Sequence, residues 1–288
     1  MLKQLAIIGG ALVVVGAIGL GVEARTGHGI TFPIAINSTG FSSVSLKSPS
    51  LIHEEKTVSA MDVTNISVNS DISKVEVLPQ ASKQAAVVLN GTSSLPQSDF
   101  HLSAKVVGHT LQVVLNTETH VVNGSNNITL EISVPQRTYQ SVGVNDSVGT
   151  LDIHDISAKS SNFQVDTGKI TVENVTGSIT ASSSVGAIQV TNCSGALNLS
   201  TQTGAINVTV PKIVHSIKAN GSIGAVTITS QSAPEHMTFD LQTDTGKVTA
   251  NVPGATYSTN RLTRITGSVG TGGPQVTAAT SIGSVTLN

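Results

Sequence analysis

Tryptophan is missing from the 288 residues, all aromatics together amount to 2%, and there is a single cysteine. Cys193 alone excludes an intrachain disulfide and a zinc cage built on cysteines. It reads as a small core residue. With so few aromatic side chains a deep globular centre has little to fill it, so the interior must be thin and built from Val, Ile and Leu. Charge is scarce too: Asp, Glu, Lys and Arg make up 11% of the chain, against about 25% in ordinary soluble domains. The formal net charge is −2 and no run of Lys or Arg occurs, which excludes the basic stripe that a nucleic-acid partner needs. Ser, Thr, Asn, Val and Gly take the place of charge, and these are residues of β surfaces and turns. An apolar content of 39% is enough for a real core.

One long apolar run is present. Leu5 to Val22 is uncharged over 18 residues, with Lys3 before it and Glu23, Arg25 and His28 after it. That length meets the minimum for a spanning helix and exceeds the roughly 7–15 residues of a signal-peptide core. We expect a single-pass membrane anchor with the bulk of the chain extracellular. A cleaved signal peptide is the alternative, because Val22-Glu23-Ala24 fits a cleavage site. Residues 1–25 are thus assigned to the anchor or signal peptide, 26–60 to a linker or entry segment, and 61–140 to an irregular β-sheet segment with period-two alternation.

From 141 to 288 the chain repeats. Gly168, Gly177, Gly186, Gly195 and Gly204 return every nine residues, each heading a short strand such as Gly168-Lys-Ile-Thr-Val. Two and four places after the aligned glycines stand apolar residues, Leu151, Ile170, Ile188, Ile206, Val226, Val248 and Val285, then Ile153, Val172, Val190, Val208, Ile228, Ala250 and Leu287. Alternation sends these to one side as an inner ladder. Between them Asp152, Thr171, Gln189, Asn207, Thr227, Thr249 and Thr286 point outward and form the candidate surface-contact ladder. Interleaved units such as Gly177-Ser-Ile-Thr-Ala supply a second strand per coil. The fold expected is all-β, a single-stranded right-handed β-helix or β-solenoid of short two-strand coils, preceded by the transmembrane helix. Gly270 opens a damaged copy. The chain stops on Ser-Val-Thr-Leu-Asn288, which predicts either an open carboxyl-terminal edge available for self-association or a partner strand, or an edge partly covered by the degenerate coil around Gly270 to Pro274.

The strand Ile-Ser-Val-Pro135 running into repeated Ser/Asp-Thr/Val-Gly-x-Ile-x-Val units resembles the bacterial putative-adhesin family, a domain-of-unknown-function family that includes LiaG-like envelope proteins. The resemblance spans roughly residues 61–288. It implies a β-helix-like extracellular domain without assigned catalysis and carries over no catalytic or ligand residue.

Chemistry is sparse. Two places before the glycines stand Ser147, Asp166, Ser184, Gln202, Ser222, Asp244, Ser268 and Ser281, too few aspartates for a calcium-binding β-roll. Asp152 and His154 share a strand face, yet a metal would need another carboxylate from the next coil, so they read as a solvated pair. Asp166 with Lys169 and Asp244 with Lys247 read as corner ion pairs. No Gly-x-Ser-x-Gly or Ser-x-x-Lys motif activates a serine. No catalytic, cofactor-binding or metal residue is therefore assigned, and no cofactor. The expected function is a non-catalytic surface binding or scaffold module of the cell envelope, with the membrane (through Leu5 to Val22) and cell-wall polymer, glycan or a neighbouring membrane protein as partners. One alternative is an envelope-stress signalling accessory that contacts a membrane partner. The other is a carbohydrate-active β-helix enzyme, which would need a groove with convergent carboxylate or Arg side chains.

Overall fold

The computed structural model describes residues 31–35, 41–45, 49–118 and 126–288. The run Leu5 to Val22 lies outside the described residues, and among those described no helix is long and apolar enough to cross a membrane. The chain divides into two units, residues 1–48 and Pro49–Asn288. In the first, β1 (Thr31–Ala35) and β2 (Phe41–Ser45) form an antiparallel hairpin.

Among the described residues of the second unit the regular elements are strands, apart from a 3-10 turn at Gln97–Asp99. It opens with β3 (Ser50–Ser59), β4 (Asn65–Gln80), β5 (Gln84–Ser93), β6 (Phe100–Val107), β7 (Thr110–Thr117) and β8 (Asn126–Pro135). Two long bent strands follow, β9 (Thr138–His154) and β10 (Ser157–Glu173). Paired short strands come next: β11 (Thr176–Val185) with β12 (Ile188–Thr191), β13 (Leu197–Thr203) with β14 (Ile206–Val210), β15 (Ile217–Ile223) with β16 (Val226–Ser230), and β17 (Met237–Thr245) with β18 (Val248–Ala250). The last are β19 (Thr256–Arg261), β20 (Arg264–Val269), β21 (Gln275–Ile282) and β22 (Val285–Leu287).

Each rung of this solenoid-like stack has two limbs separated by a corner. First limbs pair in parallel in the order β4, β9, β10, β11, β13, β15, β21, β17. Second limbs run β4, β9, β10, β12, β14, β16, β22, β18. The alternation read from the sequence causes this: Leu151, Ile170, Ile188, Ile206, Val226 and Val285 are essentially inaccessible and stack rung on rung in the second-limb core. Facing them, the first-limb column reads Val144, Phe163, Ala181, Leu199, Ala219, Ala278 and Leu241. Small residues stand beside large ones along this column, so the two limbs approach closely across a thin core. At the corner Gly186 has φ +151°, and a Cβ there would overlap the carbonyl of Gly168 in the adjacent rung. Only glycine fits such a close backbone approach. At the opposite turn Asp155, Asn174 and Asn192 adopt φ of 56°, 54° and 53°. These residue types tolerate the left-handed region, and their side chains stack: Asn192 Nδ2 donates to Asn174 Oδ1 at 2.6 Å and Asn174 Nδ2 to Asp155 Oδ1 at 2.9 Å.

Both ends of the stack finish in antiparallel pairings, β6 on β7 and β5 on β8 at one end and β20 on β17 at the other, while β7 and β8 themselves add to β4 in parallel. At the amino-terminal end the first limb of β4 pairs with β7 and then β6, and its second limb with β8, then β5, then β3. β3 comes from the stretch read as linker.

The carboxyl terminus corrects the sequence reading. β21 and β22 are not the last rung; they lie between β15/β16 and β17/β18, hydrogen-bonded on both sides. The expected open edge for self-association is therefore occupied by the chain itself. After β18 the chain forms a hairpin in which β20 covers β17 antiparallel, and it then returns through Gly270, Gly272 and Gly273 into the slot. Burial drives this, since Val276, Ala278, Val285 and Leu287 all become inaccessible there. Gly270 belongs to that return loop rather than to a damaged copy, and Ser268 sits in β20 opposite Thr238.

Candidate functional site

Register turns the outward positions into columns. Asp152, Thr171, Gln189, Asn207, Thr227, Thr286 and Thr249 do line up on the second limbs, in that spatial order. Neighbours in the column stand about 4.8 Å apart, the spacing of paired strands. Gln189 and Asn207 are exposed and the others half-buried. At one end Asp152 is held by His154 Nε2 at 2.6 Å and Lys74 Nζ at 3.3 Å, and Lys74 also pairs with Glu76. The hydrogen bond that Lys74 donates to Glu76, ahead of the one it donates to Asp152, raises its ammonium above the usual range. His154 Nδ1 lies 3.7 Å from Glu173. Asp152 and His154 thus satisfy one another, and among the described residues no trio of His, Cys, Asp or Glu is placed to hold a metal.

The first limbs carry a feature that the sequence reading did not single out. An open groove of about 380 Å³ crosses four rungs. Gln164, Ser182, Ser200 and Asn220 form one wall and Asp166, Ser184, Gln202 and Ser222 the other. Its cause is a break in the ladder. Val165 pairs with Ser183 and Thr167 with Val185, but Asp166 and Ser184 between them do not pair directly, and the same skip recurs at Gln202 and Ser222. The bend that leads each strand into its corner therefore opens a trough. Beside it Val148, Val185, Ile223 and Ile282 stand about half exposed in a column that reads Val148, Thr167, Val185, Thr203, Ile223, Ile282 and Thr245. A signal existed in the sequence: Gln164-x-Asp166-x-Gly, Ser182-x-Ser184-x-Gly, Ser200-x-Gln202-x-Gly and Asn220-x-Ser222-x-Gly repeat one polar pair ahead of each corner.

The groove offers hydroxyl and amide donors and acceptors from successive rungs with one carboxylate, Asp166, and no Lys, Arg or His in its walls. Acid–base hydrolysis uses two flanking carboxyl groups, which this lining does not supply. Asp166 forms no ion pair with Lys169, nor Asp244 with Lys247; the ion pairs among the described residues include Lys212–Glu235 at 2.6 Å and Arg264–Asp240 at 2.9 Å. The corner glycine between each expected pair sends the lysine onto the other limb. Cys193 is buried, and burial pushes its thiol up to about 11, where it stays protonated and inert.

Residues 178–288 match the family model described as Toastrack DUF4097. No curated protein matches the sequence. Among solved structures, a putative cell adhesion protein from Clostridium sporogenes is 13% identical, with 82% of this chain and 98% of that chain covered at a TM-score of 0.37. A putative adhesin from Bacteroides fragilis is 13% identical, with 82% and 97% covered at a TM-score of 0.44.

Proposed function

We propose that this protein is a non-catalytic binding module of the cell envelope that holds a neutral, hydroxyl-rich polymer along its rungs. One observation carries the reading: polar side chains, all uncharged except Asp166, recur over four rungs on both walls of a continuous groove. Each rung presents a similar set of donors and acceptors, so a polymer lying along the stack meets many weak, equivalent contacts that add through multivalency. The column from Asp152 to Thr249 is a second, flatter contact face in this reading. Leu5 to Val22 is the tether that keeps Pro49–Asn288 outside the membrane, and the rungs wind right-handed as crossovers between parallel strands do. An accessory that grips a membrane partner through a free carboxyl-terminal edge has lost that edge to β15 and β17.

The test is co-sedimentation of residues 49–288 with purified bacterial cell wall and with soluble neutral polysaccharides. Retention is expected, weakened at least several-fold by the triple replacement of Gln164, Gln202 and Asn220 with alanine. A protein left wholly in the supernatant, or a triple variant that binds as the parent does, refutes the groove as the contact.

A further inference from the structure

Three places before the corner glycine, the side chain points into the dry angle between the limbs. Ser183, Thr201, Thr280 and Thr243 occupy this position and are buried. Each donates to the carbonyl of the corner glycine in the neighbouring rung on the amino-terminal side of the stack: Ser183 to Gly168 at 3.4 Å, Thr201 to Gly186 at 3.0 Å, Thr280 to Gly224 at 3.0 Å and Thr243 to Gly283 at 2.9 Å. Val165 and Gly221 are the places where the column has no hydroxyl to give.

The same column continues in register to Asp146 and then Ser70. Asp146 is 4% exposed, and neither of its carboxyl oxygens has a partner in full hydrogen-bond geometry, though the Ser70 hydroxyl and the Ser147 N–H lie near enough to act on it. Its own corner glycine is Gly149, which pairs with Ser73 of β4, so the carbonyl that the rule assigns to it is that of Ser73. Asp146 Oδ2 and the Ser73 carbonyl oxygen border the same small space, for a Cβ added to Gly149 would overlap both. The Ser73 hydroxyl is already engaged with that of Ser70 at 2.8 Å. A carboxylate beside that carbonyl would leave two acceptors facing one another with no hydrogen between them, a costly arrangement away from water.

We propose that Asp146 is held as the neutral acid and donates its O–H to the Ser73 carbonyl, forming a proton-dependent latch between the antiparallel amino-terminal end and the regular rungs. The surroundings agree. Burial acts most strongly on this carboxyl, and Asp71 on β4 and Asp166 on β10 add like charge; the Ser70 hydroxyl and the Ser147 N–H favour the anion but do not outweigh them. The acid is pushed up to about 7 from 3.8, with no cation among the groups that act on it. Because the folded value lies above the unfolded one, the latch contributes fully below pH about 4 and is lost as pH rises through about 7.

Urea unfolding of the full-length protein from pH 4 to 9 tests this against Asp146→Asn, whose amide still donates, and Asp146→Thr, which restores the hydroxyl of the other rungs. The unfolding constant of the parent relative to either variant should rise with pH by at most about three decades, the interval between 3.8 and about 7, and level off above that. Parallel curves would overturn the proposal. A second readout needs no variant: infrared spectra of the parent should retain a protonated-acid carbonyl band at pH 6, where exposed carboxyl groups have ionised. Its absence would overturn the proposal even if neither variant folds.

Discussion

Cutting the chain after Pro274 removes β21 and β22 and with them the next-to-last rung of the stack. Val276, Val285 and Leu287 are fully inaccessible, and burial of such side chains is worth about 1.5–3 kcal/mol each, or about 4.5–9 kcal/mol for the three. That is comparable with the roughly 5–15 kcal/mol that holds a whole domain together. The inner faces of two other rungs lose their neighbour as well: Ile217 and Ala219 on β15, and Phe239 and Leu241 on β17. In a stack where each rung depends on its neighbours, the damage should stay local. Hydrogen exchange on the truncated protein should therefore show protection lost through β17, β18 and β20, all of which precede the cut, while β9 to β13 keep theirs. Were β22 merely the outermost rung, the deletion would leave β17 and β18 still paired with β15 and β16 and largely protected. Full protection of β17 and β20 after truncation, with a stability change under about 1 kcal/mol, would refute the inserted arrangement.

Two other outcomes follow from the corner and the thiol. Gly186→Ala should destabilise the unit by more than about 2 kcal/mol in urea unfolding, since the new Cβ meets the Gly168 carbonyl and the backbone is held at φ +151°; a neutral effect would show that the rungs can part there. Cys193 should resist thiol reagents at neutral pH until the protein is unfolded, because burial keeps it protonated up to about 11; labelling of the native protein at the rate of the unfolded chain would contradict its placement in the core.

The rungs were legible because their cause is local. An apolar residue two and four places after each glycine commits Ile188 and Val190 to one side and Gln189 to the other in any stacked sheet, so both the inner ladder and the outward column from Asp152 to Thr249 could be read before coordinates. The groove was half legible. Its polar pairs repeat in the sequence, but the trough between them arises from the ladder skipping Asp166, Ser184, Gln202 and Ser222, which is a property of how bent strands pair. The expected ion pair of Asp166 with Lys169 failed because proximity in the chain says nothing about which limb a side chain joins after the corner.

By itself, then, the sequence settled what each segment would become: a short strand, its buried parity, its glycine at the bend. It could not settle the order in which the rungs stack. Ser-Ile-Gly283-Ser-Val-Thr-Leu and Ser-Ile-Gly224-Ala-Val-Thr-Ile are nearly the same unit, and parallel backbone ladders accept any such neighbour. Tertiary structure chose by closing the stack as a whole: the β19–β20 hairpin covers β17, and the last segment gains two partners in the slot where a terminal position would have offered it one.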